Sequence, residues 1–264
     1  MTRSADSKTP QVAQSVIAAG LTRLGIEAGD AVLVHSSLRS FGHVVGGPDV
    51  VIDALLEVVG HRGVVVMPTL TLGASENPVA FDVRNSPSTS GRITEVFRKR
   101  PEARRSHHPT SSAAAIGRGA DVLTGYHIDT PCGLTSPYGQ VYLRDGWCLF
   151  LGTAWHSNTM FHTAEEIAMP AYLRMAEFRD TTLIDEEGVP HAVAFRRYNC
   201  YQSGVQRDLE KMGSLYEAAG AVRHTRIGLS ECFMIRARDV IDITVRLIQQ
   251  SPEEVFSYCT TPQS

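Results

Sequence analysis

Apolar and polar positions divide the chain into short buried strands and amphipathic helices. Residues 10–24, "PQVAQSVIAAGLTRL", carry apolar side chains at helical spacing, and Gly25 is a candidate stop. "AVLVH" (31–35) is short, apolar and valine-rich, the composition of a strand covered on both faces. "GGPDVVIDALLEVVG" (46–60) returns to the helical period. Its Pro48 and Asp49 suit a helix start, where a proline loses no hydrogen bond and an acid meets the positive end of the helix dipole. "GVVVMPT" (63–69) is a second strand, ending at a proline. The first 70 residues therefore read helix, strand, helix, strand, the rhythm of a sheet covered by helices.

Residues 71–91, rich in Gly, Asn, Pro and Ser, predict a long loop of the kind that carries function. A helix is expected near 91–100, strands at "SSAAAIG" (111–117) and "WCLFLG" (147–152), and a helix over 159–169. "TTLIDEEGVPHAVAF" (181–195) reads as a β-hairpin, two alternating runs joined by a glycine-containing turn. A polar helix near 204–219 and a last helix near 237–249 follow. One domain spanning 1–264 is expected, with the first ten residues loose and a minor lobe over about 176–236.

Composition narrows the function. The formal net charge is −3 and there is no basic run, which argues against nucleic acid, whose phosphates need clustered Lys and Arg. No run of 18 apolar residues suggests a membrane span, and the N-terminus lacks the apolar core of a signal peptide. The five cysteines, Cys132, Cys148, Cys200, Cys232 and Cys259, are odd in number, widely spaced and without a C-x-x-C pair. They read as free thiols in a cytoplasmic protein.

Four stretches carry candidate chemistry. In "NTMFHTAEE" (158–166), His162 precedes Glu165 by three residues and Glu166 by four. On a helix capped by Asn158 or Ser157 it shares a face with both. A carboxylate beside an imidazole holds one tautomer and steadies the protonated ring, as a general base requires. The same spacing also occurs as an ordinary polar pair on a solvated face. "VLVHSSLRSFG" (32–42) runs from a strand into two hydroxyls, at the strand end where α/β sheets collect ligands; the plain alternative is a turn with a capping serine. "RRSHHPTSSAAAIG" (104–117) offers arginines suited to phosphate, or a simple exposed basic turn. "PCGLTSPYGQV" (131–141) is a turn that either shapes a pocket wall or is an ordinary loop. The P-loop, G-x-G-x-x-G and G-x-S-x-G patterns are absent, as is H-E-x-x-H.

In this order and spacing, these segments resemble the aminoglycoside 3-N-acetyltransferase family. The similarity runs through "LVHSSLRSFGHVVGGPDVVIDALLEVVGHRGVVVMPT", "RRSHHPTSSAAAIG", "GLTSPYGQVYLRDGWCLFLGT" and "NTMFHTAEE", over roughly residues 15–175, and more loosely through "RARDVIDITVRLI". The resemblance implies an α/β fold, antibiotic-acetyltransferase-like, with a central mixed sheet flanked by helices and a smaller hairpin and helical C-terminal part. It implies transfer of acetyl from acetyl-CoA to an aminoglycoside amine, the 3-amine of 2-deoxystreptamine. The family's N-T-x-x-H-x-x-E pattern falls on Asn158, Thr159, His162 and Glu165, making His162 the base and Glu165 its support. Coenzyme contacts fall on His35, Ser36, Ser37, Leu38 and Arg39, on Met67, Pro68 and Thr69, and on Arg104, Arg105 and Ser106, with His108 and Pro109 completing the last segment. Its basic residues are expected at the coenzyme phosphates, and an oxyanion donor near Ser36 or Thr69.

A polycationic acceptor calls for acids, and Glu76, Asp82, Asn158, Glu166 and Glu231 are the expected substrate contacts beside the dyad. One departure from the family is that "RRYNCYQSG" (196–204) holds Arg196 and Arg197 and no acid, where relatives acting on aminoglycosides tend to carry acids. Three alternatives remain: a family member acting on another amine, a zinc hydrolase using His107, His108, His156 or His162, and a coenzyme A-binding protein without catalysis. No bound metal is expected in the acetyltransferase reading. Monomer and homodimer both remain open.

Overall fold

The computed structural model describes residues 11–71, 80–198 and 205–258. From the N-terminus run β1 (Gln11–Val12), α1 (Gln14–Leu24), β2 (Ala31–Ser36), β3 (His43–Val44), α2 (Pro48–Val59), β4 (Val64–Pro68), β5 (Ala80–Asp82) and α3 (Arg92–Phe97). Then come β6 (Arg104–Arg105), β7 (Ala113–Gly117), α4 (Ala120–Thr124), α5 (Pro137–Leu143), β8 (Trp147–Leu151) and α6 (Met160–Ala168). The last part holds β9 (Met175–Ile184), β10 (Pro190–Tyr198), β11 (Val205–Arg207), α7 (Leu209–Ala218), β12 (Val222–Ile227), β13 (Ser230–Arg236), α8 (Ala237–Gln250) and β14 (Phe256–Tyr258).

A seven-stranded mixed sheet, ordered β12-β13-β8-β2-β4-β7-β6, forms the middle layer. β2 is parallel to both β4 and β8, and the outer strands run antiparallel. Period-two alternation divides β2 between two cores. Val32 and Val34 join α1, α2 and α3, and Leu33 joins α5, α6, α7 and α8. The carboxyl ends of β2, β4 and β8 therefore open on one edge, and His35 points to the α6 side. A second sheet, β10-β9-β5, has its own small core of Phe81, Val83 and Leu183. β11 pairs with β14.

Most expected elements are present with shifted ends. The hairpin expected over 181–195 is longer, Met175 to Tyr198, because its outer residues still pair across strands. The loop at 71–91 contains the strand β5, whose three residues are too few to show a period. Within the stretch expected to form a minor lobe, β9 and β10 lie in the small sheet, whereas β12 and β13 extend the main one. Among the described residues no helix is long and apolar enough to cross a membrane.

Two glycines set the approach to α6. Gly152, at φ +65°, turns the chain off β8; a Cβ there would collide with the hydroxyls of Ser40 and Ser230. Gly213 of α7 lies against the indole of Trp155, in the turn that leads into α6. Trp155 in turn contacts Phe150, Phe233 and Tyr216 with ring centroids at 5.0, 4.5 and 5.3 Å. Alanine ordinarily stabilises a helix interior relative to glycine. Here the indole fills the space, so Gly213→Ala is expected to destabilise the protein by about 1–3 kcal/mol, read as a lowered denaturant midpoint. A raised midpoint would contradict this packing.

Three histidines are buried as neutral rings. Burial lowers His35 to about 3 and His108 to about 4, and holds His127 well below the ordinary value. Unfolded chains protonate these side chains below about 6.5 while the folded protein does not, so their contribution is complete above that pH and is lost as pH falls toward the folded values. Unfolding free energy is expected to drop by roughly 1.4 kcal/mol per histidine for each pH unit below 6.5. Denaturant titrations at pH 7.5 and 5.5 measure it, and equal stabilities would contradict buried neutral rings.

Candidate active site

α6 brings the acid and the base together. His162 Nδ1 lies 2.7 Å from Glu165 Oε2 across one helical turn. The Glu165 side chain has no exposed surface, whereas His162 is 26 % exposed. Ionised Glu165 is acceptor-only, so the ring proton lies on Nδ1 and the Nε2 lone pair is left for another partner. Glu165 Oε1 accepts from Arg207 Nε at 2.7 Å and from the Tyr172 hydroxyl. Burial pushes the Glu165 carboxyl up, but His162 and Arg207 outweigh it and hold the group below the ordinary carboxylate range. The Tyr198 ring stands 5.4 Å from His162.

The start of α6 is tied to the end of β2. His35 Nε2 accepts from the Thr159 backbone N–H at 3.2 Å and lies 3.0 Å from the Thr159 hydroxyl. A backbone N–H can only donate, so His35 carries its proton on Nδ1. Phe150 stacks on the ring at 4.8 Å. Thr159, not Asn158 or Ser157, occupies the cap position, and it makes no side-chain cap bond. His35 Nδ1, Ser36 Oγ and Asn158 Oδ1 are buried without a hydrogen-bond partner among the described residues. Buried polar atoms are ordinarily paired, so these three, at the carboxyl end of β2 and the approach to α6, fit a ligand with amide or carbonyl groups.

The other expected contacts divide sharply. Ser37 lies beside Ser36, with its N–H on Leu151 O at 2.9 Å, and Leu38 and Arg39 form the helical turn that follows. Met67 and Pro68 are buried at the end of β4, and Met67 faces the α1–α3 core. The Thr69 N–H is already bonded to Ser112 O at 2.8 Å, so of the two places expected to supply an oxyanion donor Ser36 is the one whose hydroxyl has no partner among the described residues.

Arg105 is not placed to meet phosphate. It is 4 % exposed, and its guanidinium donates inward to Thr69, Ser112, Val83 and Ser86 while lying over the Phe81 ring. Ser106 is likewise interior, 2.8 Å from His127 Nδ1 and accepting from Ala113 N–H. Arg104 is exposed. His108 donates to Arg196 O at 2.8 Å and accepts from Ser111 N–H at 3.0 Å. The expected acids are also committed. Glu166 accepts from Thr130, from Cys132 N–H at 2.7 Å and from the Tyr198 hydroxyl at 2.5 Å, which ties three segments together. Asp82 closes its own turn through Arg84, Asn85 and a side-chain bond to Asn85. Glu231 pairs with Arg226 on the exposed β12–β13 hairpin. Glu76 lies outside the described residues.

Arg196 reaches Asp129 at 3.6 Å, and Arg197 stacks on Phe178 at 4.5 Å. The rest of that segment, 199–204, lies outside the described residues. The four histidines of the zinc reading have separate partners: Glu186 for His107, Arg196 O for His108, Glu210 for His156 and Glu165 for His162. Among the described residues no group of three or more His, Cys, Asp or Glu is arranged to hold a metal ion. Sequence reasoning missed Tyr172, Tyr198 and Arg207. Tyr172 follows the helix with no motif of its own, and Arg207 comes from a three-residue strand 42 positions after Glu165.

The sequence model of the aminoglycoside 3-N-acetyltransferase family matches residues 33–249. The chain is 31 % identical over 275 residues to aminoglycoside N(3)-acetyltransferase VII of Streptomyces paromomycinus, which covers 90 % of this chain and 92 % of that one. Its fold superimposes on the crystal structure of aminoglycoside acetyltransferase AAC(3)-Xa with a TM-score of 0.80 at 29 % identity, covering 91 % of this chain and 93 % of that one. It superimposes on AAC-VIa bound to sisomicin with a TM-score of 0.79 at 25 % identity, covering 91 % and 98 %. The chain belongs to the aminoglycoside 3-N-acetyltransferase family and is an acyltransferase.

Proposed function

We propose that the protein transfers acetyl from acetyl-CoA to an aminoglycoside, at the 3-amine of 2-deoxystreptamine, with His162 as general base. The observation that carries this reading is the His162–Glu165 pair: one nitrogen anchored at 2.7 Å on a buried carboxylate, the other side of a partly exposed ring without a partner among the described residues. An aminoglycoside amine is largely protonated near neutral pH and cannot attack a carbonyl in that state. His162 Nε2 takes the proton, and Glu165 steadies the resulting imidazolium. The freed nitrogen attacks the acetyl carbonyl carbon and the C–N bond forms; as the C–S bond breaks, the proton held by His162 passes to the departing thiolate, and the second proton that the nitrogen sheds in becoming an amide is released to solvent. The Ser36 hydroxyl is the proposed donor to the oxygen on which charge develops, because it has no partner to give up among the described residues. No acyl-enzyme is required when both substrates are held together. The names of the relatives support aminoglycosides as acceptors, and a cytoplasmic location follows from where acetyl-CoA is found.

One observation favours a second acceptor class. Glu165, Glu166, Asp82 and Glu231 are all engaged within the protein, and Arg196 and Arg197 stand two and one residues before Tyr198. An amine carrying fewer charges than an aminoglycoside suits that surrounding better.

A thiol-release assay with acetyl-CoA, a panel of aminoglycosides and simple amines tests both readings. Release with aminoglycosides is expected, and release with simple amines alone would transfer the reading to the second class. His162→Ala is expected to lower kcat by about 10²–10⁴-fold with little change in the KM for acetyl-CoA. Full activity in that variant would remove His162 from the role of base. Ser36→Ala is expected to lower kcat about 10²-fold without loss of stability, since the hydroxyl makes no hydrogen bond among the described residues. Arg105→Ala is expected to lower stability by about 3 kcal/mol or more, because it strips donors from buried carbonyls. A stable Arg105→Ala protein with a raised KM for acetyl-CoA would restore the phosphate contact.

A further inference from the structure

Glu165 spends only one oxygen on His162. The other, Oε1, takes Arg207 Nε at 2.7 Å and the Tyr172 hydroxyl. Arg207 ends β11, whose partner in register is Phe256 of β14. The Phe256 ring meets Tyr172 edge-on at 4.4 Å, and the Arg207 guanidinium lies 5.7 Å from the Tyr172 ring centroid. A short strand pair near the end of the described chain thus delivers a cation to the back of the acid that supports the base.

We propose that Arg207 is a positioning residue for acetyl transfer: by holding Glu165 Oε1 it aims the carboxylate at His162 Nδ1 and shares its negative charge, so that the pair gives up its proton readily. The proposal rests on His162 being the base. A buried carboxylate facing a single imidazole favours the proton strongly, either on the ring or on itself. A second cation on the same carboxylate opposes both outcomes. Arg207 is 18 % exposed and Glu165 has no exposed surface, so water screens the pair little.

The other groups facing the pair do not do this work. Tyr172 donates a neutral hydrogen bond to the same oxygen. Burial raises Cys132 and Tyr198 well above their ordinary values, which keeps both neutral. Glu166 adds a negative charge that is held by Thr130, Cys132 N–H and Tyr198. His35, bonded to Thr159 at the start of α6, is a neutral ring. α8, packed on α6, turns Val240, Ile241 and Thr244 inward.

The test compares pH profiles of kcat/KM for the amine with NMR titrations of the His162 ring. In Arg207→Met the acid limb and the His162 titration are both expected to move up by about one pH unit, the effect of removing one nearby charge at an effective dielectric of ~20. The rate at neutral pH is expected to fall about tenfold, with the KM for acetyl-CoA unchanged. Arg207→Lys restores the charge and is expected to bring the limb back while kcat stays reduced, because an ammonium cannot reproduce the Nε geometry. Tyr172→Phe, which removes no charge, is expected to move the limb less than Arg207→Met. A folded Arg207→Met protein that loses activity with both titrations unmoved would overturn the proposal and leave Arg207 a purely structural tie. So would a limb that Arg207→Lys fails to restore. If Arg207→Met does not fold, Arg207→Gln, which keeps a donor without the charge, is read in the same way. Should the unaltered protein acetylate no amine, the proposed function fails, while the NMR titrations still decide what Arg207 does to His162.

Discussion

A carboxylate with no exposed surface persists as an ion only where protein donors replace its water, and the site is built around meeting that condition for Glu165. His162 supplies one donor from the same helix, Tyr172 one from the segment that follows, and Arg207 one from a distant strand. Removing the water is also what makes the pair useful. In a low-dielectric setting the ion fixes the imidazole tautomer firmly and leaves the other ring nitrogen on the partly exposed side.

The second requirement is that α6 stand at the right end of the sheet. β2, β4 and β8 run parallel, so their carboxyl ends share one edge, and the antiparallel flanking strands widen the sheet without disturbing that edge. His35 then joins edge to helix by accepting the Thr159 N–H. Its neutrality, enforced by burial, is what allows it to accept. The buried histidine that closes the strand and the partly exposed histidine of α6 thus have opposite environments.

Among the described residues, the acids of α6 face inward, to protein partners. Glu165 and Glu166 are spent on holding the protein together, Glu165 through Arg207 and Glu166 through Tyr198, Thr130 and Cys132. Arg105 and Ser106 are spent likewise, inside the fold. Residue type alone cannot separate a binding contact from a structural one, because the same donors and acceptors serve either purpose.

The strands at 31–36, 64–68, 113–117 and 147–151 were legible in the sequence because both faces of each are largely buried and their positions, His35 apart, are apolar or small. The helix carrying His162 and Glu165 was legible too, since an i,i+3 pair needs only local geometry to meet. β5, β6, β11 and β14 were not, being too short to carry a period, and the β12–β13 hairpin was hidden because its polar outer face breaks up the apolar pattern. Tertiary structure alone decided which polar side chains turned inward: Arg105 to backbone carbonyls, Glu166 to the Tyr198 hydroxyl, Arg207 to Glu165. Those choices depend on contacts across 19, 32 and 42 residues of chain, set by the folding of the whole sheet and not by any local spacing.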